Sequence, residues 1–177
     1  MNKVYSFYIS EGGTSLSTIR LHTATMGELE VSEESIITFP KGLLGFEGYS
    51  RFTLIESEEE APFSHLQNIE HTEISFVVTD PFIFFPDYDW VLSTDVQMEL
   101  GIQDVSTVMI RSIVIVPTNP LQSTVNLMAP LVINRATQQG MQFVIHDSSY
   151  GIRVPLLANE SVQTQGGQAD AGAVPQE

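Results

Sequence analysis

The feature that most restricts how this chain can fold is hydrophobic alternation with a period of two, repeated in short runs. That period is the geometry of a half-buried strand, not of a helix. Ile19, Leu21 and Thr23 alternate with Arg20 and His22; after a Met26-Gly27 turn, Leu29 and Val31 alternate with Glu28 and Glu30, which predicts a hairpin. Further strands are predicted over 36–39, 52–54, 74–79, 88–92, 108–116, 125–128, 131–133, 141–145 and 152–156. One segment reads as a helix: Thr94 is an N-cap candidate with Gln97 in the capping-box position, Asp95 suits the positive helix end, and Gly101 follows as a stop. About ten short strands with Gly and Pro punctuation predict an all-β fold, a barrel or a sandwich with antiparallel pairing and one short helix.

The ends differ from the middle. Residues 1–17 read as a flexible arm, and residues 158–177 hold no Leu, Ile or aromatic side chain. A segment of that kind buries too little apolar area to offset its ordering entropy, so a disordered tail is expected. The domain is then 18–157. The chain has no cysteine, which removes disulfides, thiol catalysis and thiolate metal sites. The lack of cysteine is also compatible with a cytoplasmic home; no apolar run is long enough for a membrane helix, and the N-terminus is a weak signal-peptide candidate.

Charge is uneven. The 177 residues carry 22 acids against seven Lys and Arg, a formal net charge of -15. Such a surface repels nucleic acid and anionic membranes and favours a basic protein partner, although solubility alone would also account for it. Between Arg51 and Arg111 there are twelve acids and no Lys or Arg. The densest aromatic cluster, Phe82, Phe84, Phe85, Tyr88 and Trp90, lies in the same stretch. It reads either as core on both sides or as an apolar groove with an acidic rim. The candidate partner-binding residues are Glu58, Glu59, Glu60, Asp80, Phe85, Asp87, Tyr88 and Asp89.

Catalytic signals are weak. No nucleophile elbow, phosphate loop, zinc-protease motif or dinucleotide fingerprint is present. Gly42, Gly45 and Gly48 recur every three residues, but no helix follows, so a backbone turn is expected. His22, His65, His71 and His146 lack metal-ligand spacing. Asp87 and Asp89 resemble the start of a calcium loop, but Leu92 stands where that loop needs Gly and Met98 where it needs Glu. No catalytic residue, cofactor or metal is expected. The alternative is a small acidic enzyme using Asp87, Asp89 and a histidine such as His65.

Four strings carry a resemblance. FVVTDPFIFFPDYDW (76–90), ITFPKGLLGFEGYSRF (37–52), VNLMAPLVIN (125–134) and SYGIRVPLL (149–157) together resemble the flagellar assembly factor FliW family over residues 19–157. The chain departs from the family pattern at Gly42-Leu43-Leu44-Gly45, where the family has Gly-hydrophobe-Pro-Gly. The resemblance implies a small, monomeric, barrel-like β protein of the bacterial cytoplasm without catalytic activity. Its partners would be flagellin and the RNA-binding translational regulator CsrA, whose repression it would relieve when flagellin is scarce.

Overall fold

The alternating runs fold as strands, and seven of the strands close into a ring. The computed structural model describes residues 17–23, 26–146 and 149–157. The expected arm and tail therefore lie outside the described residues, Ser17 excepted. In chain order the elements are β1 (Thr18–Thr23), β2 (Gly27–Ser32), β3 (Ile36–Thr38), β4 (Arg51–Glu56), β5 (Phe63–Asn68) and β6 (Ser75–Thr79). There follow α1 (Pro81–Phe84), α2 (Thr94–Glu99), β7 (Val108–Ile115), β8 (Thr124–Val125), β9 (Leu131–Asn134), β10 (Gln139–Gln142) and β11 (Val154–Pro155).

The ring runs β7-β6-β5-β4-β3-β10-β9 and returns to β7. The long strand β7 makes closure possible by changing neighbours along its length. Val108 to Arg111 pair with Asn134 to Leu131 of β9, whereas Ser112, Ile113 and Val114 pair with Thr79, Val78 and Val77 of β6. Every pairing in the ring is antiparallel except β3 with β10, a parallel contact at Thr38 and Gln139. Closure leaves the ring without free edges.

Alternation sorts side chains inside and outside. Ile37, Phe52, Leu66, Val78, Leu131 and Ile133 face inward with Phe39 and fill the barrel. Phe39 and Phe52 meet edge-to-face at 5.7 Å. Burying side chains of this size contributes about 1.5–3 kcal/mol each. Gly140 belongs to this packing: a Cβ there would lie 2.6 Å from the Phe39 ring, so only glycine lets β10 approach. The Gly42 region is a backbone turn, as expected, with Gly42 at φ +67° and Gly45 at φ +81°.

The outward set of apolar residues needs its own cover. The β1–β2 hairpin, paired from Thr18↔Ser32 to Thr23↔Gly27, lays Leu21, Leu29 and Val31 over Ile36, Ile55 and Ile69. A second layer lies over β6, β7 and β8, where Val114, Val125, Leu127, Ile145 and Leu156 surround Tyr88.

Four expectations are corrected. Residues 88–92 are not a strand; they are irregular chain after α1. The segment before them is a second short helix, because Asp80 accepts a hydrogen bond from the Phe82 N–H at 3.0 Å and Pro81 occupies the first helical turn. Strand β5 was not predicted, since FSHLQN carries buried Gln67 and Asn68. The helix at 94–99 forms, with Ser93 rather than Thr94 as its N-cap.

Candidate functional site

An apolar cleft of about 580 Å³ opens on the outer wall of the barrel. Its floor is the outward face of two ring strands, Phe63 and His65 of β5 and Val77 of β6. One wall is α1. The single helical turn set by Asp80-Pro81 directs Phe84 onto Phe63, with the rings stacked at 5.9 Å, and leaves Ile83 on the surface. The opposite wall comes from Val116 beyond β7, Leu121 in the 3-10 turn Pro120–Gln122, and Leu156 and Leu157 beyond β11. Ile83, Val116, Leu121 and Leu157 are 46–68 % exposed, yet all four converge on this cleft. Scattered exposed apolar side chains need no explanation, but convergence on one concavity makes this cleft the candidate site.

The rim is acidic. Glu60 lines the cleft and its Oε2 lies 2.8 Å from His65 Nε2. Pro62, Phe63 and Ile83 also line a neighbouring recess of about 390 Å³ that holds Glu56, Glu58 and Asp80. Arg111 is the cation of that recess, 3.5 Å from Glu56 and 3.8 Å from Asp80. The fold thus brings counter-charge to the stretch that lacks it in sequence. Arg51 reaches Glu70 at 3.1 Å and Lys41 reaches Glu99 at 2.6 Å. Asp104 serves a turn: its carboxyl accepts from the Ser106 N–H, which holds its pKa below the usual range. Glu58, Glu59, Asp87 and Asp89 have no cation beside them among the described residues.

The predicted partner residues therefore divide. Glu58, Glu60 and Asp80 meet at the cleft and its adjoining recess, with Glu59 in the same turn. Asp87 and Asp89 are exposed beyond α1, and Phe85 is half-buried at its C-cap. Tyr88 is a correction. It is 4 % exposed, and its hydroxyl donates to the Leu127 carbonyl at 2.6 Å, so it supports the surface from beneath. Burial pushes its phenol pKa above the ordinary value, which keeps it a neutral donor.

The acidic-enzyme alternative required Asp87, Asp89 and His65 together. His65 lines the apolar cleft, whereas Asp89 lines a different recess with Trp90, Phe143 and His146. Among the described residues no group of three or more His, Asp or Glu side chains is placed to hold a metal ion. Sequence reading missed Val116, Leu121 and Leu157. They stand far apart along the chain, and the only signal was an apolar residue beside Pro117, Pro120 or the end of the last strand.

Fold and site define a class: a small closed β-barrel bearing an apolar, acid-rimmed cleft on its outer wall. Its sequence relationships are specific. The chain belongs to the FliW protein family, whose pattern matches residues 20–156. It is 39 % identical over 155 residues to the flagellar assembly factor FliW of Alkaliphilus metalliredigens, covering 86 % of this chain and 96 % of the relative. The corresponding factor of Leptospira interrogans is 36 % identical over 146 residues, covering 82 % and 97 %. A crystal structure of the flagellar assembly factor FliW superposes with a TM-score of 0.73 at 28 % identity, covering 80 % of this chain and 99 % of that one. Among the described residues no helix is long and apolar enough to cross a membrane.

Proposed function

We propose that this chain acts without catalysis, as a monomer in the cytoplasm, by binding two proteins: unassembled flagellin and a CsrA-type translational regulator. Holding flagellin would occupy the factor. Release of flagellin into the growing filament would free it to bind CsrA and relieve repression of flagellin synthesis. Family membership supports the role, and the converging quartet Ile83, Val116, Leu121 and Leu157 carries the binding reading. An amphipathic helical segment left unpaired before assembly offers the apolar stripe that such a cleft accepts, and covering it is a chaperone's task. The acidic rim suits a basic, RNA-binding partner, and an acidic protein docked beside an RNA site repels RNA without filling the site.

Titration of purified protein with flagellin, with CsrA, and with both tests this reading. Leu121→Asp places a charge in the cleft at an exposed position, so folding stability should stay within about 0.5 kcal/mol. Flagellin affinity should fall by about tenfold or more, as loss of an apolar anchor predicts. Unchanged flagellin binding with Leu121→Asp and with Ile83→Asp would reject the cleft as the docking site.

A further inference from the structure

A second recess, of about 550 Å³, shares no lining residue with the apolar cleft. We infer that this recess, built from Asp89, Trp90, Phe143 and Tyr150, receives an arginine side chain of a protein partner. Three observations carry the inference. The first is a carboxylate on a firmly held backbone, with no cation beside it among the described residues. The Tyr150 hydroxyl accepts from the Asp89 N–H at 2.8 Å and donates to the Asp89 carbonyl at 2.8 Å, clamping that residue's backbone from both sides. The Asp89 side chain remains exposed.

The second is the rigidity of the walls. Tyr150 packs edge-on against Tyr88 at 4.7 Å, and Tyr88 is itself anchored by its bond to Leu127. Trp90 stacks on Phe143 at 5.4 Å with 26° between the rings, yet stays only half-buried. A site held this way loses little freedom on binding. The third is the match of chemistry. Aromatic faces attract a cation through the ring quadrupole, and a planar guanidinium can lie on a ring while its N–H fork engages a carboxylate. Val91, 86 % exposed beside the recess, offers apolar contact for the methylene stem that leads to the guanidinium. Asp87, two residues away in the chain, is a further exposed carboxylate. Among the described residues His146 is the one basic side chain on the lining, and it is exposed.

The chain supplies its own reporter, since Trp90 is its single tryptophan. The full-length protein is titrated with a blocked Gly-Arg-Gly peptide and with the same peptide carrying citrulline, at equal ionic strength, while Trp90 emission is followed. A saturable change with the arginine peptide is expected, with the citrulline peptide weaker by about tenfold. Asp89→Asn keeps the backbone clamp and the side-chain volume, so it should leave the melting temperature unchanged and remove most of the preference for arginine. Leu121→Asp, in the other cleft, should leave the titration unchanged. Equal responses to the two peptides, no arginine response, or full retention of the preference in Asp89→Asn would overturn the inference. Because the site is separate, failure here would leave the reading of the apolar cleft standing.

Discussion

Tyr88 lies in the aromatic segment, but its ring is buried and its hydroxyl bonds a backbone carbonyl 39 positions away. Tyr88→Phe would leave the Leu127 carbonyl without its donor while preserving the ring. Chemical denaturation should then show a loss of about 1–2 kcal/mol. The bond also has a sign in pH. Because burial raises the folded pKa above the ordinary 10.0, the neutral phenol's contribution is complete below that value. It is lost as pH rises toward the folded value. A stability profile of the wild type against Tyr88→Phe should therefore stay parallel through neutral pH and converge only in strong alkali. The sequence showed that this segment mixes aromatics with acids. It could not show which ring turns inward, because that depends on where residue 127 comes to rest. Gly140 was illegible for the same reason: its lack of a side chain matters only because Phe39 stands opposite.

At the scale of elements, legibility followed chemistry that is local. The β1–β2 hairpin was readable because alternation and a Met26-Gly27 turn agree, and its pairing runs without a break from Thr18↔Ser32 to Thr23↔Gly27. Strand β5 was hidden because its buried members are partly polar. Gln67 spends its amide on the carbonyls of Asn68, Thr72 and Ile74, and Asn68 receives the N–H groups of Glu70 and His71. Those residues shape the β5–β6 turn, a role that hydropathy does not register. The helix at Pro81–Phe84 was hidden differently: four residues are too few to show a helical period, and its only signal was Asp-Pro at the start. Among the described residues the hairpin pairs with no other strand, so it depends on packing. Leu29→Ala should cost about 2–4 kcal/mol by opening the cover over Ile36 and Ile55. Hydrogen exchange should show β1 and β2 losing protection before the ring strands do.

For the molecule as a whole, the imbalance of charge was visible in sequence and its arrangement was not. Arg51, Arg111 and Lys41 fold back onto acids of the cation-free stretch, so the unpaired remainder is smaller than the count of twelve acids suggested. Glu58 and Glu59, in the turn beside the cleft, have no cation beside them among the described residues. If they help hold a basic regulator, its affinity should fall as salt rises, since exposed charges beyond about 10 Å are screened at 0.1 M. Binding of CsrA at low and high ionic strength checks this, and Glu58→Gln with Glu59→Gln should flatten the dependence without changing stability. An affinity indifferent to salt would remove electrostatics from the account. The cleft itself could not have been read from any single window of sequence. Its lining is drawn from residues 60–65, 77–84, 116–123 and 156–157. The ring, by contrast, is complete once β10 has been made, at Gln142. During synthesis the barrel can therefore close some fifteen residues before the last wall of the cleft exists. A chain ending at Gly151 would keep every ring strand but lack Leu156 and Leu157. Under the proposed role of the cleft, competence to bind a partner would arrive late, only after the scaffold is finished.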